Sequence, residues 1–246
     1  MKKFLFFLMP LVAIFASCAS KPEAANTPEL KFDGMAGDIL SVKTYGYMTE
    51  FNDRIDDYEK ADLLTIKVES FDEFGHLVNT TFYDETVTVT KKETRQYAGN
   101  RLVAVITTDG VGAVIRSEKC VDKLGKDDVW EIIENGNAYR VIKSLSADGL
   151  FLTFDMDRQL LESKAYDKDN HLLASYTMKD GKIAVENKYS YDKDWNLIKV
   201  VCRSDGEISS LIFYEPTAFD EKGNWTESFT KKDYNYYILS REITYR

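Results

Sequence analysis

Three cysteines, two histidines and four prolines are all that the 246 residues contain of those types. So few ligands and nucleophiles exclude most metal centres and most Cys- or His-based catalytic sets. No G-x-S-x-G elbow, H-E-x-x-H pair or phosphate loop occurs, so no catalytic, metal or cofactor residue is assigned. The chain also lacks a basic excess. With 41 acidic and 32 basic residues its formal charge is -9, and loss of Lys2 and Lys3 with a cleaved leader would make it -11. Such a balance does not suit the backbone of a nucleic acid, and no nucleic-acid partner is expected. Long apolar runs are missing too. The one candidate, Phe4 to Phe15, is interrupted by Pro10. At about 1.5 Å per residue it is too short to cross a hydrocarbon core of roughly 30 Å as a helix.

What is present suits a folded domain: 44% apolar, 13% aromatic and 30% charged residues are enough to bury a core. The basic start Met1-Lys2-Lys3 followed by the apolar run reads as a secretory signal peptide over residues 1–17. Its end, Phe15-Ala16-Ser17-Cys18, resembles the lipobox of bacterial lipoproteins, with Phe15 where that family has an aliphatic residue. The resemblance implies that Cys18 is the lipid-attachment residue and that the protein meets a membrane through N-terminal acyl chains. An ordinary signal cleaved after Ser17 or Ala19 is the alternative. Residues 18–38 then form a lipidated tether, flexible over the aperiodic Ala19–Glu29 stretch. Ala19 is unlike the Asp that retains lipoproteins at the inner membrane, which points to an anchor in the outer membrane.

Residues 39–246 read as a single all-β domain. Leu64, Ile66 and Val68, then Val87 and Val89, then Tyr237, Leu239, Arg241, Ile243 and Tyr245 alternate with polar neighbours, the period of a half-buried strand. Asp53–Asp62 and Glu118–Asp127 are the places expected to hold a helical turn or long loop. A seven-residue unit recurs as FDEFGHL (71–77), YDKDNHL (166–172), YDKDWNL (191–197) and FDEKGNW (219–225), with a degenerate copy FDMDRQL (154–160). Its aromatic ends one strand pointing inward, and its Asp accepts backbone N–H bonds two residues on. A residue tolerant of the left-handed region follows, and Leu or Trp opens the next strand. Between these copies, Asn135-Gly136, Asp148-Gly149, Asp180-Gly181 and Asp205-Gly206 signal two-residue hairpins, with Asp109-Gly110 as a further candidate. Consecutive hairpins predict an antiparallel meander: one large twisted sheet, left open or curled into a half-barrel.

These units resemble the YD-repeat (RHS-like) proteins, and more closely the secreted lipoproteins of Gram-negative bacteria that carry a few such repeats. The resemblance is clearest over residues 150–246. It implies architecture and almost nothing about activity.

His76 and His171 share the motif slot that Asn196 and Asn224 fill elsewhere, so both read as turn residues. Asp192-x-Asp194-x-Asn196 starts like a calcium loop, but Leu197 and Arg203 stand where Gly and Glu are required. Cys120 and Cys202 are 82 residues apart and either pair or lie as small buried thiols. Trp225 takes the slot of Leu77, Leu172 and Leu197 and is expected in the core. Trp195 takes the slot of Gly75, Asn170 and Gly223, where it either projects as a partner-binding residue or folds back as a lid. In the projecting case Asn196 would take over the left-handed position. The functional expectation is a non-catalytic, outer-membrane-anchored lipoprotein whose β-repeat surface binds a protein or glycan partner, with no cofactor. Assembly through paired sheet edges is the alternative, and a hydrolase on a β scaffold a weaker one.

Overall fold

The computed structural model describes residues 35–246 apart from Ala147. The expected signal peptide, Cys18 and most of the expected tether lie outside the described residues. Sixteen antiparallel strands follow one another: β1 Ile39–Asn52, β2 Asp57–Phe71, β3 Leu77–Asp84, β4 Val89–Ala98, β5 Arg101–Asp109, β6 Val114–Leu124, β7 Asp127–Glu134 and β8 Asn137–Leu145. They continue as β9 Leu150–Phe154, β10 Leu160–Tyr166, β11 Leu172–Lys179, β12 Lys182–Tyr191, β13 Leu197–Ser204, β14 Glu207–Phe219, β15 Trp225–Lys232 and β16 Asn235–Tyr245. Each pairs with its chain neighbours, and β16 pairs with β1 to close the barrel. The meander is as expected, but it closes fully rather than stopping at an open sheet or half-barrel. Closure rests on Ser41 to Met48 pairing with Thr244 to Tyr237. It leaves no free edge among the described strands, which removes the basis for assembly through sheet edges.

No helix forms among the described residues. The loop or helical turn expected at Glu118–Asp127 is instead the end of β6, a tight turn and the start of β7. Ion pairs make its charge compatible with a sheet: Glu118 meets Lys143 of β8 at 2.8 Å and Arg116 of its own strand at 2.9 Å. At Asp53–Asp62 a short turn leads into β2 from Asp57.

The two rims are built differently. The start of β1, the end of β16 and the β2–β3, β10–β11, β12–β13 and β14–β15 connections lie at one rim, here the terminal rim. All four complete copies of the repeated unit sit there. In each, the Asp carboxylate accepts two backbone N–H bonds, as in Asp167 from Asp169 and His171, both at 2.8 Å. The left-handed position is filled by Gly75, Asn170, Trp195 and Gly223. A bulge after each turn, such as the shift between Ser190 and Tyr191, brings the aromatic and the following Leu or Trp to the inner face.

The opposite rim carries three of the expected two-residue hairpins together with turns capped by Asp84, Asp109 and Asp155, while two-residue turns also join β4 to β5 and β6 to β7 at the terminal rim. Asn135-Gly136, Asp180-Gly181 and Asp205-Gly206 all have positive φ at both residues, as type I′ requires. Two of the expected hairpins are corrected. At Asp109-Gly110 the left-handed residue is Gly112, because Asp109 caps a longer turn by accepting from Val111 and Ala113. At Asp148-Gly149 only Gly149 is left-handed, and the Ser146 hydroxyl replaces the capping carboxylate.

Apolar burial is concentrated rather than continuous. One cluster, Met35, Ile39, Val42, Phe71 and Leu77 with Ile243 and Tyr245, fills the terminal rim where the ends meet. A second joins Trp130, Ile132 and Val141 to Leu102, Cys120 and Leu161.

Candidate functional site

Two features of the terminal half stand out: the rim around Trp195, and the lumen beneath it. Strand alternation fixes which side chains line the lumen. Thr44, Lys67, Phe82, Tyr189, Cys202, Tyr214 and Arg241 border one cavity, although they come from β1, β2, β3, β12, β13, β14 and β16. Only the concave face can bring these strands to a shared space. Residues of the other phase, including Lys43, Glu131, Arg140, Glu186, Lys188 and Arg203, therefore face outward. Several of them lie mid-strand, where a lipid-facing barrel wall carries an apolar band about 25 Å tall. The inner face is charged as well, through Lys67, Glu69, Glu93 and Glu118. Charged side chains thus interrupt the mid-strand region of both faces.

On the rim, both histidines are held by their own turns. Nδ1 of His171 lies 2.8 Å from Oδ2 of Asp167, and Nδ1 of His76 lies 3.0 Å from Oδ2 of Asp72. The amide of Asn196 reaches Asp192 in the same way at 2.9 Å. The slot equivalence of His and Asn is thus a real geometric one. Burial pushes the Asp72 and Asp167 carboxyls up, but hydrogen bonds from the His side chain and from backbone N–H groups outweigh it, and both end below the ordinary range. These groups stay ionised as turn caps. Among the described residues, every carboxyl with a resolved shift moves down, and no group of three or more His, Cys, Asp or Glu is placed to hold a metal.

Trp195 is 41% exposed and itself occupies the left-handed region at φ 64°. The expected transfer of that role to Asn196 does not occur. Asn196 is needed elsewhere: its backbone N–H and its side chain both bond Asp192. The indole lies flat on the His171 ring, centroids 3.8 Å apart and planes 1° from parallel, with Tyr191 at 5.8 Å. It covers a neighbour and is still exposed, combining the two expected alternatives. Trp225 is buried as expected, with Arg241 stacked 3.4 Å above its ring. Cys120 and Cys202 are both free thiols.

The sequence reading missed the cationic lumen. A signal existed: Arg241 falls in the apolar phase of β16, between Leu239 and Ile243.

No family model matches the chain, and neither does any curated protein. Among solved structures, a porin-like protein from Bacteroides uniformis is similar at 9% identity and TM-score 0.43, covering 84% of this chain and 98% of its own. The Tc holotoxin pore of Photorhabdus luminescens is similar at 14% identity and TM-score 0.21, covering 80% of this chain and 15% of its own. Neither similarity bears on function.

Proposed function

We propose that this protein is a non-catalytic binding protein, held at the outer membrane by acyl chains on Cys18, whose terminal rim contacts a protein or glycan of the cell envelope. The observation that carries this reading is Trp195. A bulky aromatic held in the left-handed region costs about 1–2 kcal/mol that Gly or Asn would avoid, and the other three complete copies do avoid it. One face of the ring rests on His171 while the residue keeps 41% of its surface exposed, a rigid amphipathic platform of the kind used in recognition. Charge on both faces of the wall favours anchoring by lipid over spanning by strands. The repeated Asp-capped turn supports the likeness to YD-repeat lipoproteins.

The tether leads to this same rim, because Asn224 holds Ala36 through both its backbone N–H and its C=O. A photo-crosslinking residue at position 195 should therefore give a discrete adduct in intact cells. The same residue at Val111, 91% exposed on the opposite rim, should give none. Equal or absent crosslinking at both positions would overturn the rim assignment. The anchor is tested separately: Cys18→Ala should move the protein to the soluble fraction, and a free N-terminus at Ala19 or Ser20 would exclude it.

A further inference from the structure

We propose that the lumen binds a small organic anion, a carboxylate or sulfonate with an aromatic or alkyl body. The site is independent of Trp195 and of the anchor. A cavity of about 540 Å³ opens between β1–β3 and β12–β16. That volume is in the range of small-molecule sites, roughly 300–1,000 Å³.

Its two walls differ in chemistry. On the wall formed by β16 and β1–β3, the charged residues that border the cavity are Lys67 and Arg241, two cations in a chain of formal charge -9. Glu69, which pairs with Lys67 at 2.9 Å, lies outside the lining. No carboxylate is among the residues that border the cavity. The facing wall, from β12 to β14, is neutral, presenting Tyr189, Tyr214, Ile212 and Cys202. Arg241 is already braced by an aromatic face of the lining, 3.4 Å over Trp225. Such bracing holds the charged head in place and lowers the cost of ordering it around a ligand. A positive wall opposite an apolar, hydroxyl-edged one matches a ligand with an anionic head and an apolar body. It disfavours cations, and it disfavours neutral sugars, which need paired donors and acceptors.

The test uses the purified full chain and two fluorescent probes of similar shape. Anilinonaphthalene sulfonate is anionic, and N-phenylnaphthylamine is neutral. The sulfonate should bind saturably at one site per chain, at least tenfold tighter than the neutral probe. Lys67→Gln should weaken it about tenfold, and Arg241→Gln by more. Arg241→Gln risks misfolding, so Cys202→Trp, which fills the cavity from the neutral wall, should independently abolish binding. Bound sulfonate should also slow alkylation of Cys202 while leaving Cys120 reactive, as read by mass spectrometry. Equal affinity for the two probes, no saturable sulfonate binding, or full binding by Lys67→Gln would each overturn the proposal.

Discussion

Asp-capped turns and two-residue hairpins occur at both rims of this barrel, and the rims differ in what is attached to the caps. At the opposite rim, Asp84, Asp109 and Asp155 cap their turns by accepting two backbone N–H bonds each. At the repeated turns of the terminal rim the side chain of the fifth residue also locks back onto the cap, as His76, His171 and Asn196 do. His76 and His171 then stack on Tyr97 and on Trp195, and Tyr97 and Tyr191 donate to the carbonyls of Leu77 and Leu172. At the terminal rim the repeated turns are thereby joined to neighbouring strands through polar and aromatic side-chain contacts. Linked contacts fail together, so substitutions at the terminal rim should cost more than equivalent ones opposite.

Asn224 should show the largest effect. It is 1% exposed and bonds Ala36 twice and the Tyr245 hydroxyl at 2.5 Å. Tyr245 in turn donates to Asp220, and burial and that bond push its hydroxyl up to about 12. Asn224→Ala leaves several buried partners unpaired and should cost about 2–4 kcal/mol in chemical denaturation. Asn196→Ala, in the same slot without the terminal contacts, should cost about 1–2 kcal/mol. Equal costs would break the idea that the chain ends are pinned through this slot.

Next come the glycines. Gly223 at φ 81° and Gly206 at φ 87° have no atom near where a Cβ would sit, so only backbone strain opposes a side chain. Each should lose about 1–3 kcal/mol as Val. Gly223→Val should also disturb the Asp220 contacts and fall at the upper end. A smaller loss than for Gly206→Val would reverse the comparison.

The Asp caps should also contribute to acid sensitivity, and they do so at both rims. Asp72, Asp167 and Asp220 at the terminal rim and Asp84 at the opposite rim have carboxyl pKa values below their unfolded value of about 3.9. A depressed folded value contributes stability above the unfolded pKa, and that contribution is lost as pH falls through the folded one. Thermal scans between neutral pH and pH 2 should therefore show stability dropping below about pH 4. Replacing Asp72, Asp167 and Asp220 with Asn keeps an acceptor oxygen and should reduce that drop, the remainder resting on Asp84, Glu118, Asp127, Asp128 and Glu186. An unchanged acid limb would mean the caps do not carry it.

How much of this was legible follows from range. Period-two alternation and Asp-capped turns are local, and they gave the meander, the I′ hairpins and the inward phase of Tyr237, Leu239 and Tyr245. Closure was not legible, because it depends on β1 meeting β16 with matched register, as between Val42 and Ile243. No local signal fixes that pairing. Val87, a β-branched residue at φ 63° in an Asp84-capped turn, was equally hidden, since its type argues for a strand. Of the candidate site, the His/Asn equivalence could be read from repeat alignment. Of the lumen only Arg241, in the apolar phase of β16, left a local signal, because the rest of the lining converges from both ends of the chain.

The histidines should then matter modestly. In the double variant His76→Asn, His171→Asn, the cap bond is replaced by the one Asn196 already makes, but two ring stacks are lost. The expected cost is about 1–2 kcal/mol, with no change in any partner binding that does not pass through Trp195. A loss above about 4 kcal/mol would mean these side chains do more than close turns.

Trp195 should be the smallest of all in stability, and that is what makes it informative. Replacing it with Asn, the residue at slot 170, relieves about 1–2 kcal/mol of left-handed strain. Against this stand the stack on His171, worth about 0.5–1.5 kcal/mol, and partial loss of ring burial. The terms nearly cancel, so Trp195→Asn should move stability by no more than about 1 kcal/mol. Acrylamide should quench the native fluorescence through Trp195 alone, since Trp130 and Trp225 are buried, and the variant should lose that quenchable fraction. A residue whose removal leaves the fold intact, yet whose presence strains its turn, is retained for something outside the fold. A cost of about 3 kcal/mol or more would instead make Trp195 a lid over His171, and the terminal rim would be linked for stability alone.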